Sequence, residues 1–204
     1  MSRTIRFRYS DPLDIIWTEV ATRLGMRVER SPETFASWDG RGTMTLSSPE
    51  HFDADDSLAQ LILHELCHAM VESPQFFGTP DWGLENYENL DFQREHACQR
   101  LQHALMGRYG LRGVFASTTD YRTYYDALPE DALADGDDPC IPQARAGWEL
   151  ATKGPWAPVL HEALTATAAV VAATRPFAPS DSVYAIGAPP AAPRTYPSAP
   201  INPA

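Results

Sequence analysis

Three side chains within five residues have the types and spacing of a metal site that activates water: His64, Glu65 and His68 form an H-E-x-x-H pattern. On a helix, positions four apart return to the same face about 6 Å from each other, so both imidazoles can bind one metal ion. Glu65 is then turned about 100° from His64 and lies beside the metal ligands, within reach of a metal-bound water. Zinc lowers the pKa of such a water to about 7, and a carboxylate can take its proton during attack on a carbonyl. The pattern predicts Zn²⁺ on His64 and His68, with Glu65 as the catalytic base.

The residues around this pattern are uncharged, from Leu61 to Leu63 before it and from Ala69 to Val71 after it. A helix with such flanks is buried nearly all round, where two histidines and a glutamate are costly unless they serve a shared purpose. The flanks therefore favour a metal site over a surface helix that carries these residues by accident.

The segment Leu61 to Met70 resembles the active-site helix of the zincin metallopeptidases, including its uncharged positions. The resemblance covers roughly residues 3 to 110 and implies a one-zinc hydrolase with a small sheet before the helix. It also implies that Thr43 to Ser47 is an exposed edge strand on which an extended peptide can pair. The segment His64 to Ala69 has a weaker local similarity to the SprT-like proteases, but the later loop histidine expected in those proteases is absent from this sequence.

A third protein ligand is needed, which leaves the fourth position for water. In the gluzincin branch of the zincins this ligand is a glutamate on a following helix, and Glu95 is similar to it. His96, Asp81 and Glu85 are competing candidates. No histidine follows His68 at the short spacing of the metzincin branch. The segment Gly78 to Asp81 resembles the Gly-Thr element of the aspzincin branch, but its aspartate falls one position too early.

Two further roles are expected around such a site. Gln99 or Asp91, one helical turn from Glu95, could accept a hydrogen bond from a ligating imidazole. The developing oxyanion needs a donor, for which we predict the catalytic residues Tyr121 and Tyr124. Other candidates for this donor are Tyr125, His103 and His161.

Three cysteines, Cys67, Cys98 and Cys140, are too few and too scattered for a disulfide framework, so free thiols are expected. Cys67 and Cys98 each follow a proposed ligand by three residues; their thiols could meet if the two helices packed face to face, but small buried residues at a close helix contact are the simpler interpretation. The acidic residues between 130 and 138 lack EF-hand spacing and predict a solvated loop.

The elements that must position these residues predict an α+β fold. A small mixed N-terminal sheet, with strands at 3–9, 26–30 and 43–47 and a helix from Pro12 to Leu24, packs on the H-E-x-x-H helix, and a mainly helical C-terminal half follows. Helices are predicted over 58–71, 88–109, 141–153 and 157–174. After Arg175 the composition changes to repeated Pro and Ala. We predict a catalytic domain over 1–175 and a tail over 176–204 that is disordered or lies as an extended strap.

Composition narrows the class of protein. The net charge of -11 over 204 residues argues against a nucleic-acid partner. The N-terminus does not read as a secretory signal, and the apolar stretch 163–174 is well short of the roughly 20 residues that span a bilayer. The expectation is a cytoplasmic protein without a membrane segment.

The sequence thus predicts a zinc-dependent metallohydrolase, foremost a peptidase that acts on a peptide or amide bond. One alternative keeps the zinc but acts on a small amide or a modified peptide. Another is a metal-stabilised binding module without turnover, against which the intact Glu65 argues. The substrate and the oligomeric state are left open.

Overall fold

The structure, a computed structural model, describes residues 6–72, 74–84, 91–118 and 121–186. Within these ranges it is a mixed α+β fold with six α-helices and one three-stranded sheet. The elements in chain order are α1 (Pro12–Arg23), β1 (Arg27–Ser31), β2 (Ala36–Trp38), β3 (Thr43–Ser47), α2 (Leu58–Val71), α3 (Phe92–Tyr109), α4 (Arg122–Asp126), α5 (Ile141–Lys153) and α6 (Ala157–Thr174).

The sheet has the order β1-β3-β2, with β1 parallel and β2 antiparallel to β3. The prediction that Thr43–Ser47 is an edge strand is therefore wrong, because β3 is the central strand. Its alternation buries Met44 and Leu46 and was sufficient to predict a strand. Whether a strand is central depends on its partners, and β2 is too short to show a periodic pattern of its own.

The predicted first strand is not found in the described part of the chain. Residues 6–9 lie outside any strand, and Phe7 and Tyr9 are about nine-tenths exposed. Residues 3–5 of that prediction lie outside the described residues. The two outer strands of the sheet are β1 and β2 instead.

Helix α2 begins after Ser57, whose side chain accepts a hydrogen bond from the backbone N–H of Gln60. Every residue of α2 except Leu58 and His64 is buried. The helix lies against α1, α3 and α5 and contacts the sheet through β3. Close packing depends on Gly147 of α5, where a Cβ would lie 2.9 Å from the side chain of Leu101 and 3.0 Å from that of Val71.

The other helices agree with the pattern in most places. Helices α2, α5 and α6 have the predicted bounds, and α1 ends one residue earlier than predicted. Helix α3 begins at Phe92, so Asp91 of the predicted helix is not helical, and residues 88–90 of the prediction lie outside the described ranges. It ends at Tyr109 and is capped by Gly110, which adopts the left-handed φ of 69° that favours glycine. The short helix α4 was not predicted.

The chain continues beyond α6 along the body of the protein. Two short turns of 3₁₀ helix follow, at Arg175–Phe177 and Val183–Ala185. Val183 and Tyr184 pack against the core, and the side chain of Ile186 lies against Gly113. Residues 187–204 lie outside the described part, so the boundary at 175 and the state of the remaining tail stay predictions.

One described helical stretch, Ala157–Phe177, is long and apolar enough to cross a membrane by length and composition alone. The apolar stretch 163–174 is only the C-terminal part of this helix. In this fold the helix packs on α1 and α5, and its buried Thr167 accepts a hydrogen bond from the indole N–H of Trp17 at 3.0 Å. These contacts make it part of the globular body.

Candidate metal centre

Two helices bring three predicted metal ligands together. On α2, the Nε2 atoms of His64 and His68 lie 3.1 Å apart. From α3, one carboxylate oxygen of Glu95 lies 3.1 Å from Nε2 of His68 and the other lies 3.8 Å from Nε2 of His64. Tetrahedral ligands at 2.0–2.1 Å from a zinc ion are roughly 3.3–3.4 Å from one another. The three donor groups therefore have the spacing of a shared metal ion.

Burial and charge favour a cation between these groups. Within the described ranges, neither the buried Oε2 of Glu95 nor the buried Nδ1 of His68 has a hydrogen-bond partner. Burial alone lowers the pKa of His68, but the charge of Glu95 and its hydrogen bond outweigh burial and raise the pKa to about 9. Burial alone raises the pKa of Glu95, but the charge of His68 and its hydrogen bond outweigh burial and lower this pKa to about 2. The pocket stabilises positive charge, and a metal ion would take the place of the His68 proton.

Cys98 offers a second donor set with the same histidines. One ligand atom each of His64, His68 and Cys98 lie within 4.8 Å of one another, so this group could hold a metal ion. The Cys98 Sγ atom, however, lies 3.7 Å from Nδ1 of His64 and 3.5 Å from the His64 carbonyl oxygen. It thus contacts the opposite side of the imidazole from the nitrogen that faces Glu95.

Gln102 also contacts His64 at Nδ1. The His64 Nδ1–H donates to Oε1 of Gln102 at 2.9 Å, while the Gln102 amide donates to the carbonyl oxygen of Phe115 at 2.8 Å. The bond to Phe115 fixes which end of the amide faces His64. It therefore places the His64 proton on Nδ1 and leaves the lone pair of Nε2 free for a metal ion.

The outer partners predicted for the histidines are not the ones found. Both polar atoms of the fully buried Gln99 side chain lack a hydrogen-bond partner among the residues that the structure describes. The Asp91 carboxylate accepts a hydrogen bond from Arg94 at 3.3 Å. Gln102 was missed, although it lies two helical turns after Glu95 and hence on the same face of α3, which is the signal that could have found it.

The predicted catalytic base is also held in place. Glu65 is buried, and its Oε2 accepts a hydrogen bond from the indole N–H of Trp82 at 2.9 Å. Trp82 lies in the turn 80–83, where no periodic pattern marks a residue for a site. The sequence analysis therefore missed it.

A cleft of about 220 Å³ opens onto these groups. Its walls come from the edge strand β2 and the residue before it, from α2, from the turn 80–84, and from the segment that precedes α4. The lining residues are Phe35, Ala36, Ser37, Gln60, Leu61, His64, Glu65, His68, Asp81, Trp82, Leu84, Glu95, Ser117, Thr118 and Tyr121.

The two tyrosines proposed as oxyanion donors differ in position. Tyr121 lines the cleft. The Tyr124 hydroxyl donates to Asp138 at 2.9 Å and accepts from Arg100 at 2.7 Å, outside the cleft lining. Burial and the Asp138 carboxylate raise the pKa of Tyr124, which keeps its proton on that bond.

The remaining candidates lie in other surroundings. The Tyr125 ring packs on His103, and His161 bonds to the Tyr109 hydroxyl; all three predicted donors lie outside the cleft lining. Among the competing ligands, the His96 ring stacks on Tyr124 with centroids 3.6 Å apart.

Asp81 lines the cleft, and its Oδ1 accepts from the backbone N–H of Trp38 at 2.9 Å. Glu85 lies outside the described residues. The three cysteines are free thiols. In the acidic loop, Asp138 and Asp135 pair with Arg100 and Arg145.

Comparison of the chain with models of protein families, with curated proteins and with solved structures gave no match. The geometry of the site therefore carries the functional argument alone.

Proposed function

We propose that this protein is a zinc-dependent metallohydrolase, foremost a peptidase that cleaves a peptide or amide bond. One observation carries the proposal: two imidazole Nε2 atoms and the Glu95 carboxylate converge within 3.1–3.8 Å at a cleft, with the Glu65 carboxylate beside them. Metal binding by itself has no use for Glu65, so its position favours turnover over a binding module.

The donor set favours zinc on His64, His68 and Glu95. Two imidazoles and one carboxylate are a known ligand set of catalytic zinc, with a fourth position open for water. Cys98 is the weaker third ligand because its sulfur lies on the Nδ1 side of His64, where Gln102 accepts the proton. Burial also raises the pKa of the Cys98 thiol well above its ordinary value, which disfavours the thiolate that a metal requires.

His64, His68 and Glu95 would hold a zinc ion, which would supply a Lewis acid to polarise a carbonyl group and acidify water. Glu65 accepts the proton of the attacking water at the carboxylate oxygen that Trp82 leaves free, and it then passes the proton to the departing amine. His64 is oriented by Gln102 throughout. Tyr121, which lines the cleft, is the candidate donor to the oxyanion.

The cleft indicates a small substrate. Its volume of about 220 Å³ lies below the range of roughly 300–1,000 Å³ that is typical of small-molecule pockets. A short peptide in extended form could pair with the edge strand β2, whose Ala36 lines the cleft. Only a short stretch of that edge is open, because the outward N–H of Trp38 is taken by Asp81. This restriction also favours the alternative substrate, a small amide or modified peptide.

The cellular compartment and the binding partners of the protein remain predictions. Free thiols at all three cysteines favour a reducing compartment such as the cytoplasm. The net charge of -11 makes a nucleic-acid partner unfavourable.

The test is zinc content and hydrolysis of purified wild type beside Glu65→Gln. We expect about one zinc per chain in both proteins and at least about 10²-fold slower hydrolysis by the variant, since the general base is removed. Substrates are a mixed peptide library and a set of small amides, with products identified by mass spectrometry. Glu149→Gln, an exposed change on α5, is the matched control and should leave both quantities unchanged.

Absence of zinc from the wild type would refute the metal centre. Zinc binding with equal hydrolysis by wild type and Glu65→Gln would remove Glu65 from the mechanism. Cleavage of small amides but of no peptide would establish the alternative substrate class.

A further inference from the structure

We infer that Trp82 is a positioning residue for Glu65. Trp82 lies in a strained turn, and Arg94 anchors this turn to α2, the helix that carries Glu65. The inference rests on the proposed function, since it concerns the general base. Trp82 is almost fully buried, and its indole N–H donates to Oε2 of Glu65 at 2.9 Å.

This hydrogen bond assigns different tasks to the two carboxylate oxygens. Oε2 is held by the indole, so rotation of the carboxylate about its own axis would break a buried bond. No other described residue donates a hydrogen bond to Oε1 of Glu65, and the side chain lines the cleft. The oxygen that must take up a proton therefore has a fixed direction before substrate binds.

The turn that carries Trp82 is strained. Asp81, Trp82 and Gly83 have φ values of 49°, 56° and 71°, so three successive residues lie in the left-handed region. Only the last is a glycine, for which this conformation has no steric cost. Two non-glycine residues persist there only if their surroundings fix them, and such strain is concentrated at functional sites.

One set of contacts fixes the turn to the sheet. Oδ1 of Asp81 accepts from the backbone N–H of Trp38 on β2 at 2.9 Å. The rings of Trp38 and Trp82 stack with centroids 4.5 Å apart and an interplanar angle of 3°. The indole of Trp82 can therefore neither tilt nor slide without disturbing a second buried ring.

A second set of contacts fixes the turn to the helices. Arg94 of α3 donates to the carbonyl oxygens of Trp82 and Gly83 at 2.8 Å and 2.7 Å. Its Nε donates to the buried carboxylate of Glu72 at 2.6 Å. Glu72 lies at the end of α2, two turns beyond Glu65 and on the same face. These contacts thus hold the turn and the helix of the proposed base in one arrangement. An aromatic ring without an N–H could fill the place of Trp82, but it could not orient Glu65.

The experiment compares Trp82→Phe with Trp17→Phe. Both remove a buried indole N–H, but the Trp17 bond goes to Thr167, and neither of these two residues lines the cleft. Trp82→Phe should keep zinc and lower kcat by about 10- to 100-fold, the range for loss of an outer partner. Its KM should change less than about twofold, because the substrate does not contact the lost N–H. Trp17→Phe should lose a similar amount of stability and keep kcat.

A measurement without turnover tests the same contact. In ¹⁵N-labelled protein, the indole N–H signal of Trp82, assigned through its contacts with the Trp38 ring, should shift when Glu65 is changed to Gln. The Trp17 signal should not move. This test uses the folded Glu65→Gln protein and holds even if Trp82→Phe fails to fold.

The outcomes separate the two proposals. Full hydrolysis by Glu65→Gln would contradict the proposed function. A loss of activity in Glu65→Gln combined with unchanged kcat in Trp82→Phe would overturn only the role of Trp82. In the Glu65→Gln background, Trp82→Phe should lower the residual rate no further, and an additional 10-fold loss there would show that Trp82 acts by another route.

Discussion

Two buried polar networks on helix α3 differ in how completely their atoms are paired. In the first, Arg100 uses all three of its nitrogens, which donate to the Tyr124 hydroxyl, to Asp138 and to the carbonyl oxygen of Ala132. In the second, the Glu95 carboxylate faces two histidines, yet one of its oxygens lacks a hydrogen-bond partner among the described residues. The first network pairs its polar groups with one another, whereas the second could hold a cation.

Unpartnered buried atoms alone do not mark a ligand site. Gln99 and His103, on the same helix, also have them. Within the part of the chain that the structure describes, only around Glu95 do donor atoms from two helices converge on one point next to a cleft. Convergence, rather than lack of a partner, distinguishes the candidate metal centre from the rest of α3.

The largest expected effect breaks the unpaired network. Glu95→Ala or His68→Ala should weaken zinc binding by more than about 10²-fold, beyond the cost of losing an outer partner. Cys98→Ala, which removes a donor on the other side of His64, should change the affinity less than about threefold. Competition with a zinc chelator measures the affinities, and circular dichroism checks folding. The reverse ranking of Glu95→Ala and Cys98→Ala would assign the site to the cysteine.

The complete network should show the opposite behaviour. Arg100→Met leaves the half-buried Asp138 carboxylate without its cation and should lower the free energy of unfolding by about 2 kcal/mol, less than for a fully buried ion pair. Zinc affinity should stay within about twofold of wild type. Urea unfolding of the metal-free proteins gives the stability. A variant that loses zinc at unchanged stability would contradict the structural role assigned to Arg100.

Gln102 tests the link between the imidazole proton and the metal. Gln102→Leu keeps the size of the side chain but removes the acceptor of the His64 Nδ1–H bond. Zinc affinity should fall by about 10- to 100-fold, the usual cost of losing an outer partner. Gln99→Leu is the matched control on the same helix, since its amide has no partner to lose among the described residues. Equal losses in the two variants would show that α3 packing, not the His64 proton, sets the affinity.

The smallest effect concerns His103, an unpartnered group outside the metal centre. Burial, with the nearby guanidinium groups of Arg112 and Arg100, lowers the pKa of His103 to about 4. In the unfolded chain it protonates near its ordinary value of about 6.5, so the unfolded state binds more protons between these values. Stability should be complete above pH 6.5 and fall by roughly 1–2 kcal/mol as the pH drops toward 4.

His103→Leu should remove this component of the acid sensitivity, which urea unfolding of metal-free protein across that pH range would measure. An identical pH dependence in wild type and His103→Leu would rule out the shift. Zinc affinity at neutral pH should be the same in both proteins, because His103 lies outside the cleft lining.

The sequence predicted those features that depend on local patterns. Helix α2 has both its capping serine and an uninterrupted apolar run, and β3 has β-branched alternation, so their bounds agreed with the structure. Strand β2 has only the three residues Ala36–Trp38 and no period to recognise. The order of the strands depends on contacts between distant segments, which no local pattern contains.

The same limit applied at the site. His64, Glu65 and His68 have a fixed local spacing, and Glu95 could be proposed because it follows on the next long helix. Trp82 could not be found, because its position depends on left-handed φ values in the turn and on an arginine of α3. Tyr121 and Tyr124 looked equivalent in the sequence, and only the fold shows that Tyr121 lines the cleft whereas Tyr124 bonds to Asp138.

The most direct test of the central claim is X-ray absorption at the zinc edge of the zinc-loaded protein. We predict ligand distances of only about 2.0–2.1 Å, typical of imidazole nitrogen and carboxylate or water oxygen. The shell should include two imidazoles, and one oxygen should be lost in Glu95→Ala. A sulfur shell near 2.3 Å that disappears in Cys98→Ala would contradict the claim, because it would make Cys98 the third ligand in place of Glu95.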